Sequence, residues 1–461
     1  VSALFLIAAG PGQALGALVE TGRIVELFVE RDTTPSLVGA LFLGRVIRVL
    51  PALPGAFIEL GLDRPAFLQG GAGLVEGASL LVQVVRDAFE DKAAEVTASP
   101  SFQGRYAVWT PSRAGLAVSN KLPPAERARL SALAAPLVAP GEGVVLRTHA
   151  QGASREDLAA DLERLRRDAA ALAEAMTTLR APARLDPPSG LLERLVAAAV
   201  QTRTISRILV DGRAAYAALR QAQARGRAVP AETIVDLDPT PGFLDRHGID
   251  AAFAEALGTI VPLDEGARMT VETGLACTLV DVDLAGAGGG RSPAREAIRR
   301  VNLAAAAELA RQMRLRNLGG AIIADFVSMH AREDRQAVEA ALVAATGTDP
   351  TPVQVHGFTR LGHLEVTRRR GRAPLADTLL VPGGAPRPKS AETVALEALA
   401  RAASGQFRPG RLDLRIGGEA AALLAGPLAA ARVEAERACG RPIRVVAEAD
   451  RAPESFDLVE I

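Results

Sequence analysis

At 461 residues the chain is too long for one ordinary hydrophobic core and predicts roughly two to four domains. With 49% hydrophobic and 23% charged residues it has the balance of a folded protein, which excludes a disordered one. Lys+Arg and Asp+Glu are 53 each, so no global field attracts a polyanion and any nucleic-acid contact must be a local patch.

The opening VSALFLIAAG has no basic residue ahead of its apolar run and reads as a strand rather than a signal-peptide core. LFLIA, ALVE and IVELFVE, broken by the turns PGQ and TGR, predict hairpin strands. From about 36 to 98 the runs LFLGRVIRVL, GAFIELG, PAFLQ, SLLVQVVRDA and AAEVTA lack a helical period and predict a small closed barrel of the OB type. Strands near RYAVWT and GVVLRTHA follow, then a helix whose N-terminus is marked by Ser154 and Asp157. The proline-rich stretch 181–189 marks a boundary. A helix, GLLERLVAAAVQ, and a strand, SRILVDG, lead to about 255.

The most regular stretch comes next. Strand LACTLVDVDL precedes a glycine-rich loop at 285–290, a long helix over about 294–316 and strand GGAIIADFV. Helix EDRQAVEAALVAAT and strands near VQVHGFT and HLEVTRR complete it. A linker, VPGGAPRP at 381–388, leads to a last α/β unit running from SAETVALEALARAA to RPIRVVAEA. No apolar run reaches the ~18–20 residues that span a bilayer. Two cysteines, Cys277 and Cys439, exclude a disulfide framework and a Cys-rich zinc module, and point to a reducing, cytoplasmic setting.

Strand, helix and strand in succession predict neighbouring parallel strands, with Asp281 and Asp325 at or near their carboxyl ends, where open α/β sheets bind ligands. Both continue apolar runs, and a carboxylate in a buried run needs a partner. Two such groups converging suit a magnesium ion, which takes one or two carboxylates, waters and a phosphate oxygen. The structural alternative is that each aspartate caps a helix or pairs with an arginine. In the intervening helix Ile298, Val301, Ala305 and Leu309 form an apolar stripe. Its arginines (Arg295, Arg299, Arg300, Arg311, Arg314, Arg316) outnumber Glu296 and Glu308, offering a basic element beside the carboxylates.

Alternation puts Phe57 with Glu59, and Phe67 with Gln69, on the polar face of the predicted barrel. Base stacking and burial against a neighbouring domain both account for that placement. Arginine supplies nearly all the positive charge, since the only lysines are Lys92, Lys121 and Lys389. That suits bidentate phosphate contacts and equally follows from GC-rich coding. The string GGAPRPKS at 383–390 falls short of a P-loop because Pro388 replaces its second glycine.

The strings LGRVIRVLPALPGAFIELGLDRPAFL, VVLRTHAQGASREDL, VDVDLAG, VNLAAAAELARQMRLRNLGGAIIADFVSM and GFTRLGHLEVTRRR resemble the ribonuclease E/G family over essentially the whole chain. The resemblance implies an RNase H-like subdomain (1–35 and 187–255) split by an OB-fold barrel (36–98) and a 5′-sensor region (99–186). A DNase I-like catalytic subdomain (256–380), the linker at 381–388 and a small C-terminal domain (389–461) complete the implied order. It implies a magnesium-dependent endoribonuclease acting on single-stranded RNA, with the metal on Asp281 and Asp325 and RNA held by Phe57, Phe67 and Lys92. A 5′-monophosphate pocket would comprise Gly104, Val108, Arg147 and Thr148, and a homodimer is implied. An RNA-binding paralogue with weakened cleavage is the alternative.

The chain departs from the family pattern at Asp283, where asparagine is usual, and at Leu284 and Gly286. That third carboxylate could shape the metal site. The acidic residue usual just upstream is missing from TGLACT, and Pro352 replaces an arginine expected to support the 5′ pocket. The cysteines that bind zinc between protomers are absent, so no zinc is expected.

Overall fold

The computed structural model describes residues 3–461 apart from 51–53, 71–72, 89–91, 112–113, 121, 187, 226–227, 231, 275, 285–294, 384–386, 406 and 409. The expected glycine-rich loop at 285–290, with Gly286, and the middle of the 381–388 linker lie outside the described residues. The chain divides into two compact units, residues 36–189 and the remainder, 1–35 with 190–461.

Strands β1 (Ala3–Gly10), β2 (Gln13–Glu20) and β3 (Arg23–Arg31) form an antiparallel meander. After residues 36–189 the chain adds helix α3 (Leu191–Thr202), strand β14 (Ile205–Val210), helix α4 (Arg213–Ala224) and strand β15 (Ile234–Leu237) to it. The sheet order is β15-β14-β1-β2-β3, with β14 parallel to both neighbours. Phe5, Ile7 and Phe28 pack under α3 and α4, while Leu6 and Leu27 pack with Phe243 and Ile249 of helices α5 (Phe243–Arg246) and α6 (Ile249–Leu257). Burial on both faces is why LFLIA is apolar without alternation.

Within 36–189, strands β4 (Leu41–Leu50), β5 (Gly55–Glu59), β6 (Ala66–Gln69), β7 (Ser79–Arg86) and β8 (Glu95–Thr97) close into a barrel, β7 returning to pair with β4. Ile58, Leu68, Val82 and Val96 fill it. Strands β9 (Phe102–Gln103), β10 (Ala107–Thr110), β11 (Gly115–Val118) and β12 (Gly143–Leu146) form a second sheet with helices α1 (Pro124–Ala134) and α2 (Arg155–Thr178). The expected start of α2 is a complete capping box. The Asp157 N–H donates to the Ser154 hydroxyl at 3.0 Å, and the Ser154 N–H donates to the Asp157 carboxylate at 3.0 Å. A short strand, β13 (Ala183–Arg184), pairs with β4.

Strands β16 (Ile260–Pro262), β17 (Arg268–Thr273), β18 (Cys277–Asp283), β19 (Gly320–Asp325), β20 (Val353–Phe358) and β21 (Leu364–Arg368) form a six-stranded sheet ordered β16-β17-β18-β19-β21-β20. Only β18 and β19 run parallel, joined by helix α7 (Arg295–Leu315). Helix α8 (Arg332–Thr346) leads on to β20. Val280, Val282, Ile322 and Ala324 pack against Val301, Ala305 and Leu309 of α7 and Val338 and Leu342 of α8, so the helices cover that face. A short helix, α9 (Leu375–Leu379), precedes the final domain, in which α10 (Ala391–Ser404), α11 (Gly418–Ala425) and α12 (Ala429–Cys439) pack on β22 (Leu412–Gly417), β23 (Ile443–Glu448) and β24 (Phe456–Glu460). No helix among the described residues is long and apolar enough to cross a membrane.

Candidate active site

The face of the six-stranded sheet that bears no helix carries the other half of each strand's side chains. Along β18 Thr278, Val280 and Val282 are buried while Leu279 and Asp281 are exposed. Along β19 Ile322 and Ala324 are buried while Asp325 is exposed. The expectation that both aspartates continue buried runs is corrected accordingly. The runs are apolar because alternate residues differ in exposure but not in type.

Parallel pairing sets Asp281 directly opposite Asp325, and antiparallel pairing sets Thr270 opposite Asp281. His363 continues the row one step beyond the last β19–β21 pair, Ala324 with Leu364. The row lines a cavity of about 250 Å³ together with Glu272, Leu279, Val280 and Ile323. Asp281 has no hydrogen-bond or ion-pair partner among the described residues. Asp325 has one contact, His363 Nδ1 at 3.4 Å from its Oδ1. Neither aspartate caps a helix or meets an arginine there. Side by side without a cation, two carboxylates repel, and an oxygen-preferring ion with waters is the group they fit. No cluster of three or more His, Cys, Asp or Glu side chains suited to a metal occurs among the described residues.

Asp283 lies on the same face as Asp281 but is held by Arg268 at 2.9 Å. Four of the six α7 arginines expected beside the carboxylates are instead engaged elsewhere. Arg295 grips Asp334 at 2.6 and 3.1 Å, Arg311 donates to Glu308, Arg314 to Glu20, and Arg316 to backbone carbonyls of Glu255 and Gly258. They tie the helix to its own surroundings. Arg295 also holds the Asp334 carboxyl below the usual range by hydrogen bonding to its charged form.

Sequence reading missed two residues here. Asn302, fully buried on α7, donates to the Val327 carbonyl at 2.8 Å and accepts its N–H at 3.1 Å, pinning the backbone two residues past Asp325. Its signal was a polar residue between Val301 and Ala305 on the apolar stripe. His363 had no signal, because its neighbour Asp325 is 38 positions away and only sheet register joins them.

In the barrel, Phe57 and Phe67 are register partners and meet edge to face, with ring centroids 5.8 Å apart at 65°. Both are half-buried rather than exposed, because each covers part of the other. A Cβ at Gly55 would lie 2.6 Å from the Phe67 ring, so glycine there makes room for it. Lys92 is exposed.

Beyond the barrel, Gly104 is buried, and a Cβ on it would strike the Asp161 carboxylate at 2.3 Å. That carboxylate accepts the N–H groups of Arg105, Tyr106 and Ala107 at 3.1, 2.8 and 3.1 Å. The anion-binding turn after Gly104 is therefore filled by the protein's own charge. Arg147 Nη1 donates to the Gly104 carbonyl at 3.2 Å, and Thr148 shares a hydroxyl contact with Ser119 at 3.1 Å. Val108 is half-buried between Gln103 and Val145. Near the linker, Lys389 is bound by both oxygens of Glu397 at 2.8 Å, which leaves the incomplete P-loop string no free cation.

Residues 101–371 match the family model described as the Ribonuclease E/G family. The chain is 30% identical over 415 residues to Ribonuclease G of Haemophilus influenzae, covering 84% of each. It is 29% identical over 403 residues to Ribonuclease G of Escherichia coli K12, covering 82% of each. To Ribonuclease E of a Nostoc species it is 31% identical over 377 residues, 77% of this chain and 54% of the relative.

Proposed function

The chain belongs to the ribonuclease E/G family, whose model matches more than half of it, and from that premise we propose a magnesium-dependent endoribonuclease cleaving single-stranded RNA. The observation that carries the reading is the register pair Asp281–Asp325 on an open sheet face, with no arginine or lysine against it among the described residues. In this reading Asp281 and Asp325 would be the side chains that hold a magnesium ion. Bound there, magnesium lowers the pKa of water and offsets phosphate charge. Thr270 and His363 flank the pair and border the substrate, and Asn302 fixes the backbone that carries Asp325. Asp283, held by Arg268, adjusts the field rather than ligating.

The five-stranded barrel is proposed as an OB-type RNA platform on which Phe57 and Phe67 offer ring edges and faces to bases, with exposed Lys92 for the backbone. Arg147 and Thr148 are proposed to read a 5′-monophosphate beside Gly104 and Val108, since the N–H groups after Gly104 are already spent on Asp161. The sheet holding β1–β3 is assigned to an RNase H-like subdomain and the six-stranded sheet to a DNase I-like one.

The deciding experiment is cleavage of a short single-stranded RNA with and without magnesium by wild type, Asp281→Asn and Asp325→Asn. Magnesium-dependent cutting lost in both variants supports the enzyme. RNA binding without cutting in the wild type makes the chain a binding paralogue. Equal rates on 5′-monophosphate and 5′-triphosphate substrates would remove the sensor.

A further inference from the structure

The cavity holding the aspartates extends one row along the sheet, where its chemistry changes. Glu272, Leu279, Ile323 and Glu365 stand opposite one another across β17, β18, β19 and β21. Leu279 is 51% exposed and, with half-buried Ile323, forms an apolar floor in the same cavity as Asp281 and Asp325. Leaving a leucine half in water forgoes burial that Val280 and Ile322 on the covered face achieve. Glu272 edges this floor, exposed, with no hydrogen-bond or ion-pair partner among the described residues.

We propose that this second row is a nucleobase subsite with a preference for guanine, an inference that rests on Asp281 and Asp325 being the hydrolytic pair. Side chains two residues apart on one strand face lie roughly 6.5–7 Å apart, a step suited to passing from a phosphate at the carboxylates to its attached base. A phosphate is repelled from this row by Glu272, whereas a base presents an apolar face to Leu279 and Ile323. Glu272 then meets the base edge. A carboxylate offers only acceptors, and guanine alone presents two adjacent donors, N1–H and the N2 amino group, to both of its oxygens. Uracil presents a single N–H between two carbonyl oxygens, which face the carboxylate unfavourably. Hypoxanthine keeps N1–H and lacks the amino group.

The test uses short single-stranded RNAs of one sequence, varied only at the two nucleosides joined to the scissile phosphate, carrying guanosine, inosine or uridine. Wild type is expected to show a kcat/KM about tenfold higher for guanosine than for uridine at one of these positions, with inosine between. Glu272→Gln should bring the ratio to within about twofold, and Leu279→Ser should lower it through weaker guanosine binding. In parallel, the Kd of the same RNAs is read with calcium in place of magnesium. Magnesium-dependent cleavage with no base preference at either position overturns the subsite and leaves the nuclease standing. A preference that survives both substitutions also overturns it. Absence of cleavage sinks the nuclease, and the calcium Kd ratios for wild type and Glu272→Gln then decide the subsite alone.

Discussion

The six-stranded sheet holds two kinds of carboxylate, and they differ in everything except chemistry. Asp349 is almost fully buried against equally buried Arg368, which grips it at 2.8 and 3.1 Å and also donates to the Leu318 carbonyl. Asp281 and Asp325, on the open face of the same sheet, are exposed and set against each other. Asp161, in the other unit, belongs with Asp349, since backbone N–H groups and Arg164 satisfy it completely. Charges with internal partners hold backbone in place. On the proposed function, charges left largely without them are available to a ligand.

The strongest way to break this comparison is to neutralise the open pair. Asp281→Asn or Asp325→Asn should lower kcat/KM by about 10³-fold, since a bound metal supplies several kcal/mol of charge stabilisation and each tenfold in rate is about 1.4 kcal/mol. Thermal stability should stay within about 1–2 °C of wild type, because Asp281 has no partner among the described residues and Asp325 has only a long, solvent-exposed contact with His363. A large fall in Tm would move both residues into the structural class. Arg368→Ala tests the opposite class. It strands Asp349 in a dry interior and should cost about 3 kcal/mol in denaturant unfolding, the range for breaking a buried pair. A cost under about 1 kcal/mol would mean that the pair is not what holds β21 to the turn before β20.

Which class a carboxylate falls in was only partly legible in the sequence. The capping box at Ser154 was legible because its partners lie within one helical turn. The barrel was legible because five short β runs with turn residues between them admit few closures. The open face of the six-stranded sheet was not, because Leu279 and Ile323 carry core-type side chains at positions that are exposed or half-buried. The α7 arginines misled for a related reason. Composition shows a charge, but Glu20 and Glu255, which answer Arg314 and Arg311, lie far back in the chain and reach them only through tertiary packing.

Asn302 stands between the two classes, structural in its bonds and, on the proposed function, a positioning residue for Asp325. Asn302→Ala leaves the Val327 N–H and carbonyl without their partner in a half-buried place, at about 1–2 kcal/mol of stability. It should also lower kcat about tenfold with KM nearly constant, because the backbone after Asp325 is released while the substrate-contacting surface is untouched. Loss of stability without any fall in kcat would confine Asn302 to the fold.

The smallest expected effect comes from Asp334, a paired carboxylate whose partner, Arg295, is itself well exposed. Its folded pKa lies below the ordinary 3.8 because Arg295 hydrogen-bonds and attracts the charged form. The unfolded chain therefore takes up this proton at higher pH than the native one. The stabilisation is fully present above the ordinary carboxylate value and disappears as pH falls through the lowered one. Asp334→Asn should be less stable than wild type near pH 6, and the two unfolding curves should converge toward pH 2. Raising salt at pH 6 should narrow the gap, since a pair with one exposed member is screened. A gap that stays constant from pH 6 to pH 2 would mean that the aspartate matters for packing rather than for charge, and Arg295 would lose its place among the arginines that α7 spends on its own structure.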